Sequence, residues 1–150
     1  MNSHFKSIRI ATYRDAPAIK LLMEGFDGGT TLSILIHQLE MAFGQTNHQV
    51  LVYEEKKEIA GFAVVNFLPQ LATEQPLALI SALSADETGK RHGFDRFLEE
   101  YITEEAKKRN CKNVLALGAA TCHQPDGRFY LQQGYQECPE YFIKNLVYEK

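Results

Sequence analysis

Cysteine is scarce in this chain and poorly placed for pairing: Cys111, Cys122 and Cys138 are an odd number, and no two stand in a CxxC spacing. That excludes a disulfide framework and a zinc ribbon, and each reads as a small hydrophobe in or near the core of a protein from a reducing compartment. An excess of positive charge is missing as well. There are 16 Lys and Arg against 19 Asp and Glu, a formal net charge of −3, so the electrostatic footprint of a nucleic-acid binder is absent. Long apolar runs are lacking too. Ile59 to Val65 stops at Asn66, far short of the roughly 18 residues a membrane span needs, so no membrane partner is expected. The opening Met1-Asn2-Ser3-His4-Phe5-Lys6 contains no apolar signal segment, which makes the cytoplasm the expected location. The five histidines, His4, His37, His48, His92 and His123, show no metal-ligand spacing, so no metal is expected. What the chain has is bulk. Its 150 residues are 45% hydrophobic with no repeat or linker, which predicts one domain over 1–150 that removes roughly 68–70% of its unfolded surface from water without a staple.

Ser7 to Ala11 alternates polar and apolar, and the Thr12-x-x-Asp15 spacing that follows is a helix-start signal. A strand and then a helix are predicted. Pro17 falls near the first turn of that helix, and Ile19, Leu22, Met23 and Phe26 follow at helical spacing before Asp27-Gly28-Gly29. A second helix from about Leu32 to Phe43 presents Leu32, Leu35, Ile36, Leu39 and Phe43 on one face. His48 to Tyr53 and Ile59 to Phe67 are β-rich runs joined by the charged segment Glu54 to Glu58, an antiparallel hairpin. Leu77 to Leu83 reads as a buried strand. Phe94, Phe97, Leu98, Tyr101, Ile102 and Ala106 define the longest helix, with Glu104–Lys108 and Glu105–Arg109 as i,i+4 pairs on its wet side. Asn113 to Leu117 is a strand, Arg128 to Gln133 a short helix ended by Gly134, and Tyr141 to Tyr148 a last strand. The order is β-α-α-β-β-β-α-β-α-β: an α/β fold with one mixed sheet, helices on both faces, and a parallel β-α-β unit between Leu79 and Leu117.

The junction Asp86-Glu87-Thr88-Gly89-Lys90-Arg91-His92-Gly93 lies between a buried strand and the start of the longest helix. It reads as a turn-rich loop. Such a place gathers backbone N–H groups and the positive end of a helix dipole, which suits a phosphate. Gly89 and Gly93 would allow close approach of the main chain, and Lys90 and Arg91 would add charge. Two glycines also make an ordinary tight turn, and Asp95 in the first helical turn competes with an anion.

Cys111 to Leu117, the loop through His123, and Gly127-Arg128-Phe129-Tyr130-Leu131-Gln132-Gln133-Gly134-Tyr135 resemble the second half of the GNAT superfamily of N-acetyltransferases. With Ile8 to Thr12 leading into an acidic-capped helix, the resemblance covers essentially the whole chain. The ending, Arg128 to Leu131 through Tyr141-Phe142-Ile143-Lys144-Asn145-Leu146, is most similar to small-amine acetyltransferases of the aminoalkylphosphonate N-acetyltransferase type.

The resemblance implies a GNAT fold and a cosubstrate, acetyl-CoA. The family's coenzyme A pattern, Arg/Gln-x-x-Gly-x-Gly/Ala, falls on Thr88, Arg91 and Gly93. Of these Gly93 matches, Gly89 fits the common family sequence, and Lys90, Arg91 and His92 lie in the same stretch. Backbone donors for the pantetheine arm and the acetyl carbonyl fall at Leu83, Ser84 and Ala85. An Asn that commonly contacts the cofactor falls at His123. The carboxylate that often deprotonates the amine falls at Ala82, so no base is identified. Tyr130 takes the position of the Tyr that protonates the departing thiolate, and a phenol of pKa about 10 beside a thiol of about 8.5 is a workable donor. Packing of the short helix is its alternative role. The stretch Glu24 to Thr30 borders the acceptor site in the family, where its two carboxylates would favour a cationic amine; solvated residues around a glycine turn are the other reading. The expected activity is acetyl transfer from acetyl-CoA to an amine of a small molecule, ahead of a peptide, by direct attack. Two alternatives stand beside it: a catalytically silent CoA- or ligand-binding protein, and a partner-binding homodimer paired through the C-terminal strand.

Overall fold

The computed structural model describes residues 3–24, 29–117, 128–138 and 142–148. Five strands, β1 (Ile8–Ile10), β2 (His48–Glu55), β3 (Glu58–Leu68), β4 (Leu77–Ala85) and β5 (Asn113–Ala116), form one sheet in chain order. The helices are α1 (Ala16–Leu22), α2 (Leu32–Ala42), α3 (Glu87–His92), α4 (Phe94–Lys108) and α5 (Arg128–Gln132). The first four strands are antiparallel and β5 runs parallel to β4, with Leu79 opposite Leu115. This is the mixed α/β fold that the order of elements predicted.

Alternation along the strands sends side chains to two faces. Leu51, Tyr53, Ala63, Val65, Phe67, Ile80 and Leu83 meet Phe94, Phe97, Leu98 and Ile102 of α4 and Phe129 and Tyr130 of α5. Val50, Val52 and Phe62 meet Ile19 and Leu22 of α1 and Leu35 and Leu39 of α2 on the other side. The β2–β3 hairpin turns on Lys56 and Lys57, whose φ of 53° and 68° are the left-handed pair of a two-residue I′ turn. Their charge belongs to the solvent side, and the turn geometry fixes the register that sorts the two faces.

At the first helix start Asp15 is buried, accepts the Thr12 amide at 2.8 Å, and is clamped bidentately by Arg9 at 2.8 and 2.9 Å. Burial pushes its carboxyl up; the Arg9 and Thr12 bonds outweigh that and hold it below the usual carboxylate range. Helix ends follow their own chemistry. Asn110 sits at φ 60°, while the Cys111 amide bonds the Ala106 carbonyl and the Asn110 amide that of Lys107, a left-handed cap without glycine.

Several expectations are corrected. The junction after β4 is a short helix rather than a loop, because Asp86 caps it: its Oδ1 accepts the Gly89 amide and its carbonyl that of Lys90. α1 ends at Leu22, with Phe26 outside the described residues. Glu104 bonds Lys107, one turn position nearer than Lys108, whereas Glu105 and Arg109 pair as expected. Cys111 packs against the core, Cys138 is exposed because it follows α5 on the surface, and Cys122 lies outside the described residues. The final strand is not formed over 142–148, where every residue is exposed. Strand propensity expresses packing on a pleated neighbour, and apolar side chains without one do not make a strand. Among the described residues no helix is long and apolar enough to cross a membrane.

Candidate active site

The sheet opens where β5 stops. Ile80 opposite Ala116 is the last β4–β5 pair, and the Leu117 amide still reaches the Ile80 carbonyl at 3.2 Å. β4 continues to Ala85, opposite Gly61 of β3. From Ser81 to Ala85 one edge of β4 therefore has no strand beside it among the described residues. The register also shifts here: Val64 faces Ala82 while Val65 faces Ile80, so Ser81 is the extra residue of a bulge. Both faces pack around this stretch of main chain. Leu83 enters the α4 face with none of its surface exposed, and the buried Ser84 donates its Oγ to the Leu22 carbonyl of α1 at 3.3 Å.

Next along the chain, Thr88, Gly89, Lys90, Arg91 and His92 lie within α3, and Gly93 joins α3 to α4 at φ 78°. Gly89 is required by packing. A Cβ there would stand 2.7 Å from the Ala60 carbonyl oxygen and 3.2 Å from Ala85 Cβ, so α3 lies directly against the sheet. The amides of Gly89, Lys90 and Gly93 are occupied by bonds within the chain. Arg91 Nε turns back to donate to the Glu87 carbonyl at 3.4 Å. No side chain caps the start of α4, although Asp95 accepts the Arg96 amide there at 2.9 Å, and burial pushes the Asp95 carboxyl up. Thr88 and His92 line a cavity of about 500 Å³ whose wall carries Glu55, Glu58 and Asp86 against Lys56. Among the described residues carboxylates outnumber cations on that wall.

Tyr130 lies in α5, 7% exposed, in the α4-face core. Its ring meets Phe129 and Tyr135 edge-on, each at 5.2 Å between centroids. Gly134, at φ 92°, reverses the chain so that the Tyr135 amide bonds the Tyr130 carbonyl at 3.0 Å. Tyr135 Oη and Thr103 Oγ1 both donate to Glu99 Oε2, at 2.8 and 2.7 Å. Glu99 is a buried carboxylate of α4, pushed up by burial against the pull of these two bonds. The Tyr135 hydroxyl is in turn driven up by burial and by Glu99. α5 is thus tied to α4 through a polar contact in an aromatic core, which fixes the helix that carries Tyr130. The structure brings Leu83 and Tyr130 into one core and sets Thr88 to His92 apart in α3; His123 lies outside the described residues, as do positions 25–28 of the acceptor stretch.

On the other face α1, α2 and the sheet enclose a larger cavity of about 540 Å³. Ile19, Met23, Leu35, Leu39, Phe62 and Val64 form its apolar wall, Ala82 lies on it, and His37, Gln38, Gln45 and His48 supply its polar atoms. His48 Nδ1 is 2.6 Å from Asn66 Oδ1 on the paired strand. Glu99 and the His48–Asn66 pair were not singled out from the sequence. The alternation of His48, Val50 and Val52 was the available signal, because it puts His48 on the α2 face. Among the described residues no three His, Cys, Asp or Glu side chains gather as a metal site.

Comparison with known proteins agrees with this architecture. The model described as the acetyltransferase (GNAT) family matches residues 17–135. A transcriptional regulator from Bacillus halodurans C-125 superposes with a TM-score of 0.76 at 21% identity, over 94% of this chain and 98% of that one. A GNAT family acetyltransferase from Staphylococcus aureus subsp. aureus USA300_TCH1516 gives 0.71 at 17%, over 93% and 97%. A ribosomal-protein-alanine N-acetyltransferase from Brucella melitensis biovar Abortus 2308 gives 0.69 at 15%, over 94% and 98%. At these identities the likeness is one of fold. No curated protein matches the sequence.

Proposed function

The chain belongs to the acetyltransferase (GNAT) family, and we propose that it moves an acetyl group from acetyl-CoA to an amine of a small molecule by direct attack in a ternary complex. The observation that carries the reading is the edge of β4 beyond Ile80, buried on both faces from Leu83 to Ala85 yet without a neighbouring strand among the described residues. An extended main chain of this kind fits the amide-bearing pantetheine arm by strand-like hydrogen bonding. When bound, acetyl-CoA supplies an activated thioester. The main chain of Leu83, Ser84 and Ala85 would hold and orient the arm and the carbonyl. Gly93 and the start of α4 would face the pyrophosphate, with Lys90 and Arg91 adding charge. The bonds already made by the Gly89, Lys90 and Gly93 amides favour the α4 start over α3 for that contact.

Tyr130 Oη would hold the proton destined for the departing sulfur. Its burial beside Phe129 and Tyr135 keeps water away and the ring fixed. The likeness to aminoalkylphosphonate acetyltransferases rests on the residues of the C-terminal part and supports a small amine over a peptide.

Thermal unfolding with added acetyl-CoA tests the binding half of the reading: at 100 times the dissociation constant the fold gains about 2.7 kcal/mol. No shift at saturating acetyl-CoA would overturn it. Tyr130→Phe tests the chemistry. The ring and its packing stay while the proton is lost, so acetyl-CoA binding is retained and turnover falls about 10²- to 10⁴-fold. An unchanged rate would remove Tyr130 from the mechanism, and a parent protein that binds acetyl-CoA but acetylates no amine would leave the silent binding protein as the function.

A further inference from the structure

We propose that the cavity between α1, α2 and the sheet is the acceptor site for a primary amine carried on an aliphatic or aryl group, and that His48, held by Asn66, takes the proton of that amine. The inference rests on the acetyltransferase reading and adds the acceptor class and the base that the sequence did not supply. The cavity measures about 540 Å³, the size of a small-molecule site. Among the described residues its lining contains no Asp, Glu, Lys or Arg. A polycation would find no carboxylate there and a phosphonate no guanidinium or ammonium, whereas Ile19, Met23, Leu35, Leu39 and Phe62 solvate an apolar body. Ala82 on the cavity wall belongs to the stretch of β4 that has no strand beside one edge among the described residues.

His48 supplies what Ala82 cannot. Asn66 Oδ1 accepts a hydrogen bond from Nδ1 at 2.6 Å, so the neutral ring carries its proton on Nδ1 and keeps the lone pair on Nε2. His48, Val50, Val64 and Ala82 share one face. Val50 pairs with Val64 and Val64 with Ala82, while His48 lies two residues before Val50. With strands about 4.8 Å apart and a rise of about 3.4 Å per residue, the His48 and Ala82 Cα atoms are about 12 Å apart. An imidazole and a chain of two waters span the distance to an amine above Ala82. The step balances. The ammonium gives one proton to Nε2, and the nitrogen lone pair forms the C–N bond as the C–S bond breaks and sulfur leaves with the electron pair. The second proton shed by nitrogen offsets the one that Tyr130 Oη gives to sulfur.

Among the described residues the other titratable group on the cavity wall is His37 of α2, and Arg109 lies 3.4 Å from Asn47 Oδ1 beside the start of β2. The test is made on the full chain. Calorimetry measures binding of phenethylamine, spermidine and aminomethylphosphonate, and release of free thiol measures turnover. Phenethylamine is expected to bind and to have the highest kcat/KM. Ala82→Leu, which narrows the cavity at a half-buried position, should weaken phenethylamine at least tenfold, with Val64→Phe as a second filling variant should the first not fold. His48→Gln should lower kcat/KM about 10²- to 10⁴-fold and abolish the acid limb of its pH profile with acetyl-CoA affinity unchanged; His37→Gln should keep that limb. A higher kcat/KM for spermidine or aminomethylphosphonate overturns the acceptor class. A His48→Gln protein that retains rate and acid limb overturns the base. Acetyl-CoA binding without phenethylamine binding overturns the site. Absence of acetyl-CoA binding sinks the acetyltransferase reading instead, and the cavity is then judged by phenethylamine calorimetry alone, where no binding overturns it.

Discussion

The two faces of the sheet are built from the same strands and end in opposite states. On the α4 side aromatic rings fill the space: Tyr53 stacks on Phe94 at 4.0 Å between centroids, and Phe129, Tyr130 and Tyr135 close the far end. On the α1–α2 side the wall is mostly aliphatic, and the short α1 and α2 leave the cavity unfilled. Among the described residues each face also buries one acid. Asp15 is ion-paired and held low, while Glu99 has hydroxyl partners and is pushed up. The comparison teaches that close packing and room for a ligand are separated across a single sheet, with the open edge of β4 between them. Close packing on one side fixes the helix that carries Tyr130, and vacancy on the other leaves room for the proposed acceptor.

Truncation of one leucine on each face gives the largest contrast. Leu98 is wholly buried and its Cδ1 lies against Gly61 of β3, so Leu98→Ala should cost about 3–4 kcal/mol through lost burial and a void that close-packed neighbours do not refill. Leu39 is nearly as buried but already lines the cavity. Leu39→Ala enlarges an existing space, and its expected cost is about 2 kcal/mol. Urea denaturation of both variants measures the difference; equal losses would break the comparison and mean that the cavity wall is as tightly constrained as the core.

The two acids give a smaller effect of opposite sign. Asp15→Asn removes the charge that Arg9 grips and weakens the Thr12 contact, with an expected loss of about 1–2 kcal/mol at neutral pH, moderated because Arg9 is partly exposed and also bonds Glu54 at 2.9 Å. The sign with pH follows from the direction of the shift. A depressed carboxyl contributes stability that is present above its unfolded pKa of about 3.9 and is lost as pH falls through the folded value. Parent and Asn variant should therefore differ at pH 7 and converge in acid. A constant gap across that range would mean that the Asn amide disrupts packing and that the ion pair contributes little.

Most of this organisation was legible from the residues one element at a time. Period-2 and period-3.6 patterns located β1 to β5, α2, α4 and α5 to within a few residues, because each presents one continuous apolar face. What was not legible depends on neighbours distant in sequence. Asp86 and the Ala60 carbonyl turn Thr88 to His92 into a helix, and neither contact is written in the glycine spacing. Tyr141 to Tyr148 has strand composition without a strand partner among the described residues. The proposed acceptor cavity is a gap between α1, α2 and three strands, and a gap leaves no sequence pattern. The cofactor positions were carried by family resemblance, and Ala82 was the point at which that resemblance supplied no base.

The finest test of the contrast is Glu99→Gln. Glu99 accepts both its hydrogen bonds, from Thr103 and Tyr135, on one oxygen. A Gln carbonyl can accept the same two, so the substitution removes a buried charge while keeping shape and partners. Because burial raises the folded pKa of this carboxyl, its favourable contribution is present below the unfolded value of about 4.3 and is lost as pH rises through the folded one. At pH 7 the Gln variant should therefore be the more stable protein, by about 1 kcal/mol or less, and the gap should close toward pH 4. Denaturation midpoints at the two pH values measure it. A Gln variant that is less stable at pH 7 would show that the charged bonds to Thr103 and Tyr135 outweigh desolvation, making Glu99 a paired acid like Asp15. The two faces would then differ in packing alone.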